Sequence, residues 1–462
     1  MGSLAIQTAA GLVLARLLFP ADFGLLASVY VVTGLTVLFF DLGLSGALVR
    51  SRNLTEELKA TAFWLNALGG LVFLGLLTAL GPLVAGFYGD DRLRWLLPLA
   101  GLPFAVGLQV VHSALLQRRF AFRALASTEL VAAVVGNTLA IVAAAGGAGY
   151  FALVVGPPVQ ALLLTAMQWR LVRWRPRSFI RIAAVRELWG FSGGLLGYAV
   201  VDYGVRSLDV LLLGRFYGPT DVGLYNRAHS LMVLPVQQLN SVLGRVMLPT
   251  LSGLGDDLRR VGSAYLQAMR LTLFVALPTL VGMAATAPAL INTLWGPRWL
   301  DSTVAFQLLC LAGAARVLTG GTGWIYQSQN RTPLMFRMGV LTGVVVAAGT
   351  VIGLPHGLVG VAAGVTVATW LTVPFNLLVP SRLVGLPAMA VLRSNAATML
   401  CTALMGVCVW AVPVVSPLRE TAVLTLLLQV LAGLLVYAAM GLLLQRPLLR
   451  QLVSLLRRRR RR

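Results

Sequence analysis

Long apolar runs recur from one end of this chain to the other, and they limit the folds that it can adopt. Two of them, 64–80 and 423–444, approach or exceed the roughly 20 residues that a helix needs to cross a bilayer. Only 11% of the 462 residues are charged, whereas about a quarter are charged in an ordinary globular domain. The sequence therefore predicts an integral membrane protein and leaves no stretch for a soluble catalytic domain.

Charges, glycines and prolines interrupt the apolar runs and mark the ends of the predicted membrane helices. We predict an all-α protein with about fourteen transmembrane helices, at 1–18, 24–48, 61–86, 95–116, 124–145, 150–169, 189–216, 223–248, 264–287, 303–325, 335–353, 357–380, 396–415 and 421–444. We divide them into a six-helix bundle at 1–170, a basic linker at 171–188, a second six-helix bundle at 189–382, two extra helices at 383–446 and a basic tail at 447–462.

The basic residues between the predicted helices are unevenly distributed. The loops after even-numbered helices and the C-terminal tail hold 26 Lys and Arg, and the opposite loops hold 4. Such an excess is typical of cytoplasmic loops, so we predict that both termini are cytoplasmic. The net charge of +22 belongs to these membrane-flanking segments rather than to a polar domain. We therefore exclude a nucleic-acid-binding protein.

A nine-residue pattern, R-x-x-x-P-x-D-x-G, occurs twice, beginning at Arg16 and again at Arg215. Further along the chain, EELK matches DDLR and GYFALVVG resembles GLVGVAAG, at nearly the same offset. These matches predict two six-helix repeats, and because six is even, the repeats have the same orientation in the membrane. Two like bundles around a central cavity are the architecture of an alternating-access transporter.

Two interpretations of the repeated motif remain open. In the first, the motif only forms helical hairpins: the arginine offsets the dipole at a helix C-terminus, the proline sets the turn and the aspartate caps the next helix. In the second, Arg16 and Arg215 also line the outer end of the central cavity.

Ionisable residues inside the predicted helices are the candidates for a binding site, because each costs roughly 2.5–3.5 kcal/mol to insert. Asp202, Arg206 and Asp209 are spaced by four and three in the seventh predicted helix, so they share one face. Either they form an ion-paired core that packs this helix against a neighbour, or they bind substrate. The next helix adds Arg227 and Arg245 as candidates for substrate binding.

The acidic residues of the first predicted bundle are candidates for ion coupling. A buried carboxyl group can carry a proton, so we consider Asp41 and Glu129 as the groups that couple transport to an H⁺ or Na⁺ gradient. We interpret the lone histidines of the predicted helices, His112 and His229, as hydrogen-bonded structural groups. The sequence predicts no metal and no organic cofactor.

Three stretches, VLARLLFPADFGLLA, LLQRRFAFRALA and SLDVLLLGRFYGPTDVGLYNRAHSLMVLPVQQLNSVLGRVMLPTLS, resemble the polysaccharide-export flippases of the multidrug/oligosaccharidyl-lipid/polysaccharide exporter superfamily. The resemblance implies a bacterial inner-membrane transporter, not an enzyme. It implies that the substrate is an undecaprenyl-pyrophosphate-linked oligosaccharide, used for O-antigen, capsule or exopolysaccharide synthesis. The implied partners are membrane lipids, the polymerase and other polysaccharide-assembly proteins.

The chemistry of that substrate agrees with the arginines, because a guanidinium group pairs with phosphate oxygens in bidentate fashion. We predict that Arg206 binds the pyrophosphate while Asp202 and Asp209 hold its side chain toward the cavity. A cation-coupled multidrug exporter of the same superfamily would favour acidic residues in the cavity. A membrane polysaccharide polymerase or ligase would carry large extracytoplasmic loops with catalytic polar residues, which this sequence lacks.

The two repeats differ at their starts. About 27 residues of predicted helix lead to Arg215, but only 15 residues precede Arg16. We therefore expect about a dozen further residues upstream of the first helix.

Overall fold

The protein is built from α-helices, and the computed structural model describes residues 2–40, 48–49, 51, 54–181, 193–254, 257–387, 389–415 and 421–445. The α-helices of these residues are α1 (Gly2–Leu17), α2 (Pro20–Phe40), α3 (Glu56–Tyr88), α4 (Arg92–Val106), α5 (Val110–Arg118), α6 (Phe122–Ala145), α7 (Phe151–Val172), α8 (Gly193–Tyr217), α9 (Pro219–Gly253), α10 (Leu258–Ala285), α11 (Ala287–Leu294), α12 (Thr303–Thr319), α13 (Thr322–Ser328), α14 (Thr332–Gly353), α15 (Gly357–Leu383), α16 (Ala390–Val415) and α17 (Ala422–Leu444). Short 3₁₀ turns occur at Pro297–Ser302 and Leu354–His356. The described part of the chain contains no strand, and the all-α prediction is confirmed.

The helices have the length and composition of membrane spans. Within the described ranges, eight helical segments are long and apolar enough to cross a bilayer, or nine if the bent pair α4–α5 is one span. Each predicted span coincides with one α-helix or with two consecutive ones. The multi-pass membrane class is therefore as predicted, while the total of fourteen spans stays a prediction.

The fourth and tenth predicted spans are each interrupted near a glycine. The fourth divides into α4 and α5, with a bend of 44°. Pro103 inside α4 removes a backbone hydrogen bond just before this bend. The tenth divides into α12 and α13 at Gly320 and Gly321. In the predicted division into repeats of six spans, both interruptions fall in the fourth span of their repeat.

The chain forms two compact units, residues 1–226 and residues 227–462. In the first unit, α3 packs along α4, α6 along α7 and α2 along α8, and Leu25, Leu77 and Leu97 belong to a buried core. In the second unit, α14 packs along α15, and α10 lies against α12 and α16. The predicted bundle boundaries at 170 and 189 stay a prediction.

Residues 173–181, here called the linker strap, follow α7 and are fastened to the beginning of α3. The Trp174 indole donates a hydrogen bond of 2.9 Å to Glu56 Oε2, and the Trp64 indole donates one of 3.1 Å to the Ser178 carbonyl. The strap is the described part of the predicted basic linker. Trp174 of the strap and Trp64 of α3 fix the strap to the first unit although it has no regular secondary structure.

Candidate functional site

Both copies of the repeated motif join two helices. Pro20 is the first residue of α2 and Pro219 the first residue of α9, a position that suits proline because its φ is already helical and no amide hydrogen is needed there. The buried Asp22 carboxylate accepts a hydrogen bond of 2.9 Å from the Phe19 amide. This bond satisfies a donor at the helix start, so Asp22 caps α2 as the hairpin interpretation predicts.

The arginines that begin the two motifs are exposed at helix ends. Arg16 lies in the last turn of α1 and Arg215 in the last turn of α8. The Arg215 guanidinium lies 5.7 Å from the centre of the Phe87 ring, within the range of a cation–π contact. Both positions agree with a cation that offsets a helix dipole. A role of either arginine in lining a cavity stays a prediction.

Arg206 and Asp209 share α8 but have different surroundings. Arg206 is exposed, whereas Asp209 is half-buried. The Asp209 carboxylate accepts a hydrogen bond of 2.7 Å from the hydroxyl of Tyr225, which is fully buried on α9. Asp209 therefore connects α8 to α9, a contact that spacing along one helix could not predict. Asp202 lies outside the residues whose side chains the structure describes, and pyrophosphate binding by Arg206 stays a prediction.

A pair of basic side chains lies in the second unit, where Arg316 of α12 meets His229 of α9. The two nitrogens, Arg316 Nη1 and His229 Nε2, are 3.5 Å apart, and both side chains are half-buried. Arginine has only donors, so His229 Nε2 can take only the acceptor role in a hydrogen bond with Arg316. Gly313 allows α12 to approach α9, because a β-carbon there would lie 2.8 Å from the Met232 sulfur.

This pair changes the interpretation of the candidates on α9. From its position in the sequence, His229 was interpreted as a lone hydrogen-bonded structural group. In the structure, its side chain lies beside Arg316, which is 87 residues away in the chain. Arg227, two residues before His229, is also half-buried. Arg245 lies outside the residues whose side chains the structure describes.

The two candidates for ion coupling are not brought together by the described structure. Asp41 lies outside the described residues, and Glu129 is exposed on α6. Their coupling role stays a prediction. Among the residues that the structure describes, no group of three or more His, Cys, Asp or Glu is arranged to hold a metal ion.

Neutral side chains fill the bend between α4 and α5. The carbonyls of residues 106, 107 and 108 each accept a hydrogen bond from a different side chain. The donors are Thr165, Asn66 and Trp169, at 2.9, 3.1 and 3.0 Å respectively. Three successive carbonyls near the break thus find partners inside the first unit, as buried backbone groups must.

His112 belongs to the same neutral region. It is fully buried on α5, its ring stacks on Trp169 at 5.0 Å, and its Nε2 lies 3.1 Å from the Trp174 carbonyl oxygen. The prediction of a hydrogen-bonded structural histidine is confirmed at this position.

An apolar groove of about 340 Å³ lies between α10, α12 and α16 in the second unit. Leu311, Val407 and Trp410 are among its lining residues, and no charged side chain occurs among the described residues of its wall, where Gln307 contributes an amide. The Gln307 amide donates to the Ala284 carbonyl at 3.1 Å. The wall therefore offers no cation to a phosphate, and the basic pair on α9 and α12 is the better candidate in this unit.

Known proteins match both the sequence and the fold. The family described as "Polysaccharide biosynthesis protein" matches residues 13–304. The lipopolysaccharide biosynthesis protein WzxC of Escherichia coli (strain K12) is 24% identical over 359 residues, which cover 76% of this chain and 72% of WzxC. The teichuronic acid biosynthesis protein TuaB of Bacillus subtilis (strain 168) is 24% identical over 299 residues, which cover 64% of this chain and 62% of TuaB. The match thus spans about three fifths of the length of TuaB.

Solved transporter structures share the fold. The lipid II flippase MurJ in an inward closed conformation has a TM-score of 0.73 at 14% identity, covering 97% of this chain and 98% of MurJ. An inward-facing multidrug resistance transporter of the MATE family, in the MOP superfamily, has a TM-score of 0.66 at 13% identity, covering 83% and 94%. At such identities the likeness concerns the fold alone. Because the family match at 13–304 covers more than half of the sequence, this chain belongs to the polysaccharide biosynthesis protein family, which confirms the resemblance found in its motifs.

Proposed function

We propose that this chain is a transporter, not an enzyme, that flips an undecaprenyl-pyrophosphate-linked oligosaccharide across the bacterial inner membrane. The direction is from the cytoplasmic to the periplasmic leaflet, and the product supplies O-antigen, capsule or exopolysaccharide synthesis. Family membership supports a polysaccharide precursor as the cargo, and a fold shared with a lipid II flippase supports a lipid-linked one. The transport mechanism is alternating access.

The observation that carries this proposal is the contact between Arg316 and His229 inside the apolar helices of the second unit. An arginine at membrane depth costs roughly 2.5–3.5 kcal/mol, and a basic neighbour adds to that cost once it is protonated. A pyrophosphate reverses the sign of the interaction, because its oxygens accept hydrogen bonds from guanidinium and imidazolium groups. The half-buried Arg227 adds a third basic side chain to the α9 part of this site.

Arg206 of the first unit is a separate candidate for binding the pyrophosphate, proposed independently of the basic pair. Its exposure on α8 leaves it accessible to a ligand, and Tyr225 holds the neighbouring Asp209 in a defined position. Asp41 and Glu129 remain the proposed carriers of a coupling H⁺ or Na⁺. Membrane lipids and the polymerase that extends the flipped precursor are the proposed partners.

The test is a flipping assay in proteoliposomes with a fluorescent lipid-linked oligosaccharide. We expect Arg206→Ala and Arg316→Gln to lose at least about tenfold in rate, because each removes a charged donor to the phosphate. Arg270→Gln is the matched control, since Arg270 is exposed on α10 and outside the proposed site. If the wild-type protein exports cationic dyes and leaves the labelled lipid in place, the chain is a multidrug exporter instead.

The proposed orientation, with both termini and the linker strap in the cytoplasm, has its own test. Arg177 is exposed in the strap, so Arg177→Cys in a cysteine-free background offers a thiol to reagents from that side only. We expect an impermeant maleimide to label it after permeabilisation and not in intact cells. Labelling in intact cells would reverse the assignment.

A further inference from the structure

The glycines that end the two copies of the repeated motif meet each other. A β-carbon added to Gly24 of α2 would lie 1.6 Å from the Pro219 carbonyl oxygen and 3.0 Å from the Gly223 amide nitrogen. A β-carbon added to Gly223 of α9 would lie 1.8 Å from the Pro20 carbonyl oxygen and 3.0 Å from the Gly24 amide nitrogen. The contact is reciprocal: the glycine of each motif faces the proline of the other.

Hairpin formation does not explain these glycines. A helical hairpin uses the proline and the capping aspartate of the motif, whereas a glycine in the fifth position of the helix weakens that helix. The atoms that Gly24 and Gly223 face belong to backbone, so no side-chain rotation could make room for a methyl group. Only glycine fits at both places, and the reason is the other copy of the motif.

The contact continues along the helices that follow and precede the motifs. The Tyr203 hydroxyl of α8 donates a hydrogen bond of 2.7 Å to the Tyr30 carbonyl of α2. A β-carbon on Gly34 would lie 2.1 Å from that hydroxyl oxygen. Gly24 and Gly34 therefore belong to one seam between helices of different repeats, with its tightest point at the motif.

We propose that Pro20, Gly24, Pro219 and Gly223 form a latch, here called the glycine latch, that closes the extracytoplasmic end of the transporter and opens during each transport cycle. The proposal rests on the proposed function. The turns that contain the motif follow the first and seventh predicted spans, whereas the basic loops follow even-numbered spans, so the latch lies on the side opposite the cytoplasm. The repeated motif is thus a pair of self-complementary surfaces, one from each repeat.

The chemistry of the four residues suits a contact that must break repeatedly. None of them carries an ionisable or hydrogen-bonding side chain, and close approach of glycine backbone to a carbonyl uses weak Cα–H···O bonds and van der Waals contact. Separating such surfaces leaves no charge and no side-chain donor exposed in the membrane. The latch is therefore specific in shape and easy to open.

The first test measures the distance between the two motifs without using any substrate. Leu17 and Phe216 are exposed residues just before the motif prolines, and spin labels on Leu17→Cys and Phe216→Cys report their separation in a cysteine-free background. We expect Gly24→Ala and Gly223→Ala each to shift the distance distribution of the reconstituted protein to longer values. Unchanged distributions in both variants overturn the latch.

Two glycines of α3 are matched controls for these substitutions. A β-carbon on Gly75 or Gly86 would meet no atom within 4 Å, so Gly75→Ala and Gly86→Ala add the same methyl group without a clash. We expect both to keep the wild-type distance distribution.

The second test asks whether opening is a step of transport. We expect Gly24→Ala and Gly223→Ala to flip lipid-linked oligosaccharide about tenfold more slowly than the controls, because the clash can be relieved only by moving a helix. Alanine variants that move the labels but flip at the full rate overturn the gating role. If the wild-type protein itself flips no lipid, the proposed function fails, while the label distances still decide whether the latch exists.

A third arm leaves the glycines intact, in case the alanine variants do not fold. A short bis-methanethiosulfonate reagent joins Leu17→Cys to Phe216→Cys and holds the two turns together. We expect flipping to stop and to return when the cross-link is reduced. Flipping at the full rate with the cross-link in place contradicts the opening of the latch.

Discussion

The fourth and tenth predicted spans are both interrupted, yet the two interruptions have different chemical surroundings. At the first break, the carbonyls of residues 106–108 accept hydrogen bonds from Asn66, Thr165 and Trp169. At the second, the helix ends one turn after Arg316, whose guanidinium meets His229. The first break is surrounded by neutral groups, and the second is preceded by a cation.

The difference leads us to expect different roles for the two helix interruptions. A neutral donor that bonds a buried carbonyl completes the structure by itself. In the proposed function, the Arg316 guanidinium binds the pyrophosphate of the substrate, because its donors pair with phosphate oxygens. We therefore expect substitutions at the first break to change stability and substitutions at the second to change transport.

The largest expected effect lies at the second break. The double variant Arg316→Gln, His229→Gln should lower the flipping rate by at least about tenfold, because loss of a charged hydrogen-bonding group costs about 2–5 kcal/mol of binding. Its thermal unfolding temperature should stay close to that of the wild type, since glutamine keeps hydrogen-bonding capacity. If the double variant is stable and flips the lipid at the wild-type rate, the second break has no special role in transport.

A smaller effect on stability is expected at the first break. Asn66→Leu removes the donor to the Gly107 carbonyl and should lower the free energy of unfolding by about 1–3 kcal/mol, with the flipping rate per folded molecule unchanged. The matched control is Asn137→Leu, because the Asn137 amide bonds only the Ala133 carbonyl of its own helix. Equal losses in the two variants would show that the break does not depend on Asn66.

Trp169→Phe should cost less than Asn66→Leu, about 0.5–1.5 kcal/mol, because it removes one hydrogen bond and keeps an aromatic ring against His112. Unfolding in a denaturant series would measure the difference. The control is Trp95→Phe, since Trp95 is 65% exposed. A loss as large as that of Asn66→Leu would mean that ring packing, rather than the Leu108 carbonyl, stabilises the break.

The smallest expected effect concerns the turn that leads into the first broken span. The Arg92 guanidinium beside Asp90 holds the pKa of that carboxyl below its ordinary value of 3.8, through hydrogen bonds of 2.7 and 2.9 Å. A carboxyl whose pKa is lowered by folding stabilises the fold above its unfolded pKa, and this contribution is lost as the pH falls through the folded value.

The pair is partly exposed, so its contribution at neutral pH should be below about 1 kcal/mol. Thermal unfolding of the wild type and of Asp90→Asn should differ slightly at neutral pH and converge once the pH has fallen through the folded pKa of Asp90. A difference that persists in acid would show that Asp90 acts through its shape and not through its charge.

The amino-acid sequence was sufficient to predict where the helices lie but not which side chains of different helices contact each other. Apolar runs marked the helices that the structure describes as long and apolar enough to span a bilayer, because such a helix must be about 20 apolar residues long. The exact positions of the breaks could not be predicted, because Gly107 and Gly320 stand among many other glycines of apolar helices.

The contacts between helices depend on residues far apart in the chain. No periodicity within α9 or α12 could place His229 beside Arg316, and the spacing within α8 gave no sign that Tyr225 holds Asp209. The final glycine of the motif that begins at Arg16 and Arg215 indicates that another part of the protein packs closely against it. The motif itself does not show that this part is the other copy of the motif.

The linker strap has a consequence for how the protein is made. Its residues leave the ribosome directly after α7, when helices α1 to α7 have been synthesised and those from α8 onward have not. The Trp174–Glu56 hydrogen bond and the Arg181–Glu57 ion pair of 2.9 Å join residues that have all been synthesised by then. The strap can therefore be attached to α3 during synthesis, before the second half of the chain is made.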